Sequence, residues 1–207
     1  MVSSAPRPMM ATVMYHEGNR ELQARFGSVA LADRLLERTH RTVFTDADKA
    51  FIESLPFFFL ATADAQGRPD CSFKGGAPGF AKVMAPDLLV YPDYDGNGMF
   101  KSLGNISSNP SVALLFIAMT ERPKRLRVCG TAEIGFDDPL LANFPGGQML
   151  VRIRPTHVFP NCPRYIPDMK GETPSVYVPQ AGCEPVEPKW KSAPEFKDVV
   201  PARKPTR

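Results

Sequence analysis

Hydrophobic positions change their period along this chain, and each change marks an element. From Gly18 to His40, Leu22, Phe26 and Val29, then Leu31, Leu35 and Leu36, recur at roughly helical spacing that is interrupted near Gly27-Ser28. That pattern predicts one broken helix or two short ones. A second helix start follows at Thr45-Asp46-Ala47-Asp48, where Thr45 can cap, Asp48 sits three positions on, and Phe51, Ile52 and Leu55 share a face. Pro56 closes it.

Beyond Pro56 the pattern becomes strand-like. The aromatic run PFFFLATAD leads through Ala65-Gln66-Gly67 into Pro69 to Lys74, which predicts a β-hairpin. Gly75, Gly76, Pro78 and Gly79 form a loop, and Leu88 to Tyr91 is the next strand. Phe100 to Ser108 reads as a helix stopped by Asn109-Pro110, after which Val112 to Ala118, Leu126 to Ile134 and Met149 to Phe159 are further strand candidates. Six strands and few helices predict a mainly β (α+β) fold, a small β-barrel with flanking helices.

The 22 prolines concentrate toward the C-terminus, and beyond Pro160 they are too dense for a regular sheet or helix. Tyr165, Tyr177 and Trp190 in that stretch argue that parts of it pack against something. The expected organisation is therefore a helical extension over 1–56, a barrel over 57–160, and a proline-rich segment over 161–207 that wraps the barrel or a partner subunit.

Composition narrows the function classes. A net charge of +3 on 207 residues is too small to argue for nucleic acid as the main partner. No apolar run reaches the length of a membrane span, and the N-terminus lacks a secretory pattern, so a cytoplasmic protein is expected. The cysteines at 71, 129, 162 and 183 have no metal-site spacing, and free thiols are the expectation.

The stretch DYDGNGMFKSLG, Asp93 to Gly104, opens like a calcium loop. It fails where an ion would need it, because Lys101 and Gly104 stand at the ninth and twelfth positions. A tight turn between a strand and a helix is the better reading, and no metal is expected. That turn would deliver Lys101 and Ser102 to the first turn of the helix, where free N–H groups and the macrodipole favour an anion such as phosphate. Lys74, beside Gly75-Gly76, adds a cation, although a lone lysine is more often a solvated surface charge. Arg125 and Arg127 would share a strand face with Cys129, serving either a second anionic group or ordinary ion pairs. Cys162 lies five residues from His157, but a buried thiol suits it better than a nucleophile.

The segments FFFLATAD, QGRPD, CSFKGG with its PGF loop, LLVYPDYDGNGMFKSLGNISSNPSVALLFI and RLRVCGTAEI together resemble the pyridoxamine 5'-phosphate oxidase-like family of FMN-binding split barrels. The resemblance spans about half the chain, Phe57 to Gly135. It implies a six-stranded split barrel, a homodimer with FMN at the subunit interface, and an FMN-dependent oxidoreductase whose substrate and catalytic residues it does not specify. It also implies cofactor contacts: Ser72 and Lys74 at the phosphate or ribityl chain, Tyr91 and Pro92 along the flavin, Lys101 and Ser102 at the phosphate, Asn105 one turn later, and Arg125 at the polar edge of the ring. Cys162, Arg164, Tyr165 and Trp190 are the substrate-side candidates. The chain departs from the family where an Arg-Lys pair becomes Lys101-Ser102 and an amide becomes Arg125. Those departures admit a deazaflavin, haem or no cofactor in place of FMN, and the absence of an identifiable acid-base residue keeps a non-catalytic flavin or haem carrier as the alternative.

Overall fold

A computed structural model describes residues 14–163 together with 166, 169, 182, 186, 187, 192 and 194. These divide into two units, one ending at His40 and one beginning at Arg41. In the first, α1 (Glu17–Arg25) and α2 (Val29–Thr39) are separated by Gly27, whose φ of 63° lies in the left-handed region that glycine tolerates. The predicted break at Gly27-Ser28 is thus a helix end. Arg20 Nη1 to Asp33 Oδ1 at 2.6 Å links the two helices, while Leu22, Phe26, Leu31 and Leu35 remain exposed.

The second unit opens with α3 (Asp46–Glu53), and its predicted cap forms. Asp48 N donates to Thr45 Oγ1 at 3.2 Å and Thr45 N donates back to Asp48 Oδ2 at 2.9 Å. Asp48 is also gripped by Arg41, whose Nη2 lies 2.9 and 2.8 Å from its carboxylate oxygens. Placed by the sequence in the extension, α3 sends Phe51 and Ile52 into the barrel core, and the turn that follows it adds Leu55.

Seven antiparallel strands follow: β1 (Phe57–Ala63), β2 (Pro69–Gly75), β3 (Lys82–Ala85), β4 (Leu88–Tyr94), β5 (Ser111–Ala118), β6 (Lys124–Gly135) and β7 (Gly147–Pro160), with α4 (Lys101–Ser108) between β4 and β5. Their order is β2-β1-β5-β6-β7-β4-β3, an unclosed sheet whose edges are β2 and β3. The mainly β class with flanking helices is the expected one. The added strand is β3, four residues long, and a 3-10 turn at Pro139–Asn143 was likewise not anticipated.

Alternation sets what each strand presents. Phe58 and Leu60 of β1 point into the core, where the Phe58 ring meets Tyr91 and Phe116, each at 5.1 Å between centroids, and stacks on Phe80 at 5.6 Å. Phe57 and Phe59 point outward and contact Phe73 of β2 at 5.3 and 6.1 Å. Phe73 is 62% exposed. At Gly130 a side chain would run into the carbonyl of Arg154, so the β6–β7 irregularity between Cys129 and Gly130 requires glycine. The free edge of β3 is covered by α3, since Lys49 Nζ donates to the Val83 carbonyl at 2.7 Å and Val83 N donates to Glu53 Oε1 at 3.0 Å. Among the described residues no helix is long and apolar enough to cross a membrane.

Candidate functional site

Strand β2 and helix α4 meet through two hydroxyls. Ser72 shares the core-facing side of β2 with Lys74, and Ser72 Oγ lies 3.0 Å from Ser102 Oγ at the second position of α4. Ser102 is only 6% exposed. One turn on, Asn105 is buried and its Nδ2 donates to Thr62 Oγ1 at 2.9 Å, which fixes α4 against β1. The start of α4 is thereby held beside Ser72 by polar contacts from two strands, with its first-turn N–H groups unused by the helix itself.

The entry to α4 is strained. Phe100, the residue before Lys101, has φ 46° and ψ 31°, the one non-glycine residue with positive φ among those described. A bulky side chain in that region costs about 1–3 kcal/mol, and such strain persists where the surroundings impose it. Its effect is to turn the chain sharply from the loop after β4 so that Lys101 and Ser102 begin the helix. Lys101 is exposed there, while Lys74 is half-buried.

Electrostatics at this end of the barrel are mixed. Burial pushes the Asp93 carboxyl above the ordinary carboxylate range, with Lys74 opposing and Asp95 reinforcing the rise. Burial likewise drives the Tyr91 phenol upward, and the Asp93 charge adds to it. Tyr91 is wholly buried, yet its hydroxyl finds no hydrogen-bond partner. An orphaned buried O–H is costly, and a bound polar group is one way of satisfying it.

The remaining sequence candidates are distributed as follows. Pro92 is buried and points away from Tyr91, toward Gly147. Arg125 sits on the outward face of β6 with Arg127 and Cys129, across the sheet from the face that carries Ser72 and Lys74. Its Nε is buried without a partner, as is Oδ1 of Asn161, whose backbone N donates to the Arg125 carbonyl at 3.5 Å. Cys162 is exposed, contrary to the buried thiol expected, because it lies just past the end of β7, and the register sets His157 opposite Cys129. Burial raises the Cys129 thiol, with Arg127 partly offsetting it. Arg164, Tyr165, Tyr177 and Trp190 lie outside the described residues.

Sequence reasoning missed three participants. Thr62 sits in an aromatic strand run that looked purely structural, and its role depends on a contact 43 positions away. Asp93 reads in the sequence only as the first position of a calcium-like loop. The Phe100 conformation has no composition signal, since left-handed positions normally advertise themselves by glycine or asparagine.

The site is thus a polar cradle at one end of a split antiparallel barrel, built from β2, the end of β4 and the start of α4. The pyridoxamine 5'-phosphate oxidase family model matches residues 44–163, more than half of the chain, and the protein belongs to that family. Among solved structures it is similar to an FMN-binding protein from Syntrophomonas wolfei (12% identity, 69% of this chain and 97% of that one, TM-score 0.43). It is also similar to HupZ from Group A Streptococcus (21%, 56% and 93%, TM-score 0.45) and to HutZ, the heme storage protein of Vibrio cholerae (22%, 52% and 86%, TM-score 0.39). No curated protein matches.

Proposed function

We propose that this chain binds FMN and acts as an FMN-dependent oxidoreductase. The observation that carries the reading is the Ser72–Ser102 contact, which pins the amino-terminal end of α4 beside Lys74. A phosphate there would be held by Lys74, Lys101, the two serine hydroxyls and the free N–H groups of α4. These groups are positive or neutral donors, so the residues fit a phosphate-bearing cofactor. The half-buried Asp93 is an adverse charge, and its raised affinity for a proton together with Lys74 mutes it; Asp70 shares the face of β2 that carries Ser72 and Lys74 and is a second one.

When bound, FMN supplies the redox chemistry by accepting a hydride. The protein holds the phosphate, excludes water and leaves one face of the ring accessible. Arg125 faces the other side of the sheet from the cradle within one copy, which suits a cofactor lying between two copies. Phe57, Phe59 and Phe73 form an outward aromatic patch beside Leu115 and Ile117 on the same face, and a homodimer would bury it.

An absorption spectrum tests the reading. Purified protein, or protein incubated with FMN and freed of excess ligand, should show a flavin spectrum and then be reduced by NADH or NADPH. Protein that stays colourless after such incubation overturns it, and a haem or deazaflavin spectrum replaces the cofactor.

A further inference from the structure

On the outward face of β6 a hydrogen-bond donor and an acceptor stand side by side without a bond. The register pairs Leu126 with Pro160, so the next position sets Arg125 opposite Asn161, where the backbone N of Asn161 donates to the Arg125 carbonyl at 3.5 Å. Cross-strand neighbours of this kind share a face, with Cβ atoms about 4.5–5.5 Å apart. Arg125 Nε carries an N–H and Asn161 Oδ1 accepts. Both atoms are closed to solvent, and among the described residues neither has a hydrogen-bond partner.

Their surroundings are apolar. Ile117 on β5 lies opposite Arg125, and Phe159 on β7 lies opposite Arg127, two residues along the same face. Each is only 8% exposed. Arg125 and Asn161 are half-buried as whole residues, so rotation of either head group uncovers its orphaned atom. A donor beside an acceptor, both unsatisfied, is complementary to a ligand edge that sets an acceptor beside a donor, as the C=O and N–H of an imide do. A carboxylate would satisfy the arginine and repel the amide oxygen, and an ammonium group would do the reverse.

We infer that Arg125 and Asn161 together read the imide edge of the cofactor ring, Arg125 Nε donating to a ring carbonyl and Asn161 Oδ1 accepting from the ring N–H beside it, with Ile117 and Phe159 shielding both bonds from water. This rests on the FMN reading above. Within one copy the pair faces the opposite side of the sheet from the Ser72–Ser102 cradle, so the ring it reads belongs to a cofactor held by a second copy, and the pair is part of that interface. Asn161 turns a single contact at the polar edge into a donor–acceptor pair. A flavin carries such an edge and a porphyrin does not, so the pair selects the ring while the cradle selects the phosphate.

Fluorescence titration of the full-length protein with FMN and with 3-methyl-FMN, which keeps the ring carbonyls and lacks the N–H, tests it. Wild type should bind FMN at least about tenfold more tightly than 3-methyl-FMN. Asn161→Leu should lose that preference and bind both flavins as wild type binds the methylated one, whereas Asn161→Asp, which keeps an acceptor, should retain it. Arg125→Met should weaken both flavins alike, since both keep the carbonyl. Thermal melts establish that each variant is folded. Equal affinity of wild type for the two flavins, a preference that survives in Asn161→Leu, or unchanged binding by Arg125→Met overturns the inference and leaves the cradle reading intact. Absence of FMN binding by wild type overturns both.

Discussion

Ser72 and Ser102, thirty positions apart in sequence, meet hydroxyl to hydroxyl at 3.0 Å, and this contact brings the start of a helix to the edge strand of the barrel. If a phosphate rests there, charge should matter more than the hydroxyls. A hydrogen bond to an ionised group contributes about 1.5–3 kcal/mol, so Lys74→Gln and Lys101→Gln should each weaken FMN binding by about tenfold or more. Ser72→Ala/Ser102→Ala should weaken it by less. Quenching of FMN fluorescence on titration gives the affinities; lysine variants that bind like wild type would remove the phosphate from this cradle.

Tyr91 offers a test that needs no ligand. Its ring is packed against Phe58, while its hydroxyl is buried and unpartnered. Removing only that oxygen in Tyr91→Phe keeps the packing and relieves a desolvated donor, so the ligand-free protein should be equally stable or more stable by about 1 kcal/mol. Urea denaturation measures this. A clear loss of stability would show that the hydroxyl has a partner.

Asp93 makes stability depend on pH with a definite sign. Its folded-state affinity for a proton is raised above the ordinary carboxylate value, so the native chain holds that proton more tightly than the unfolded one. Stability should therefore fall as pH climbs from the ordinary Asp range through the raised folded value, and stay lower above it. Asp93→Asn should flatten that part of the profile, stabilise the protein at neutral pH and tighten FMN binding by removing a negative charge beside Lys74. Thermal melts across pH, with and without FMN, measure both effects.

The outward aromatic patch sets the expectation for self-association. Phe73→Glu places a charge at the exposed centre of the Phe57–Phe59–Phe73 cluster, where it disturbs no core packing. Light scattering coupled to size exclusion should find dimers for wild type and monomers for the variant, with weaker FMN retention. A wild-type protein that is monomeric at all concentrations would dismiss the dimer.

Much of this molecule is visible in its residue pattern, and the reasons are local. The α3 cap is written as Thr45 and Asp48 three apart, and the break between α1 and α2 as Gly27. Alternation in RLRVCG correctly puts Arg125, Arg127 and Cys129 on one face of β6. What local pattern lacks is long-range pairing. Strand β3 is four residues of unremarkable alternation, held by β4 on one side and by Lys49 and Glu53 on the other, and only the assembled sheet makes it a strand. The cradle divides the same way. Helix-terminus chemistry points to Lys101 and Ser102, and the Gly75-Gly76 loop to Lys74, whereas Thr62 under Asn105 and the Asp93–Lys74 interaction emerge only when distant strands are brought side by side.

The two edges of the unclosed sheet are not equivalent. Side chains of α3 occupy the backbone groups of Val83 on β3, while among the described residues β2 has β1 as its single strand neighbour and reaches α4 through the Ser72–Ser102 contact. In a hydrogen-exchange experiment the barrel should accordingly behave as a coat with one buttoned side: β2 amides lose protection before those of β5 and β6, which are flanked on both sides. Whatever settles on the serine pair also fastens that loose seam, so the isotope pattern of β2 would register occupancy even for a ligand that has no colour.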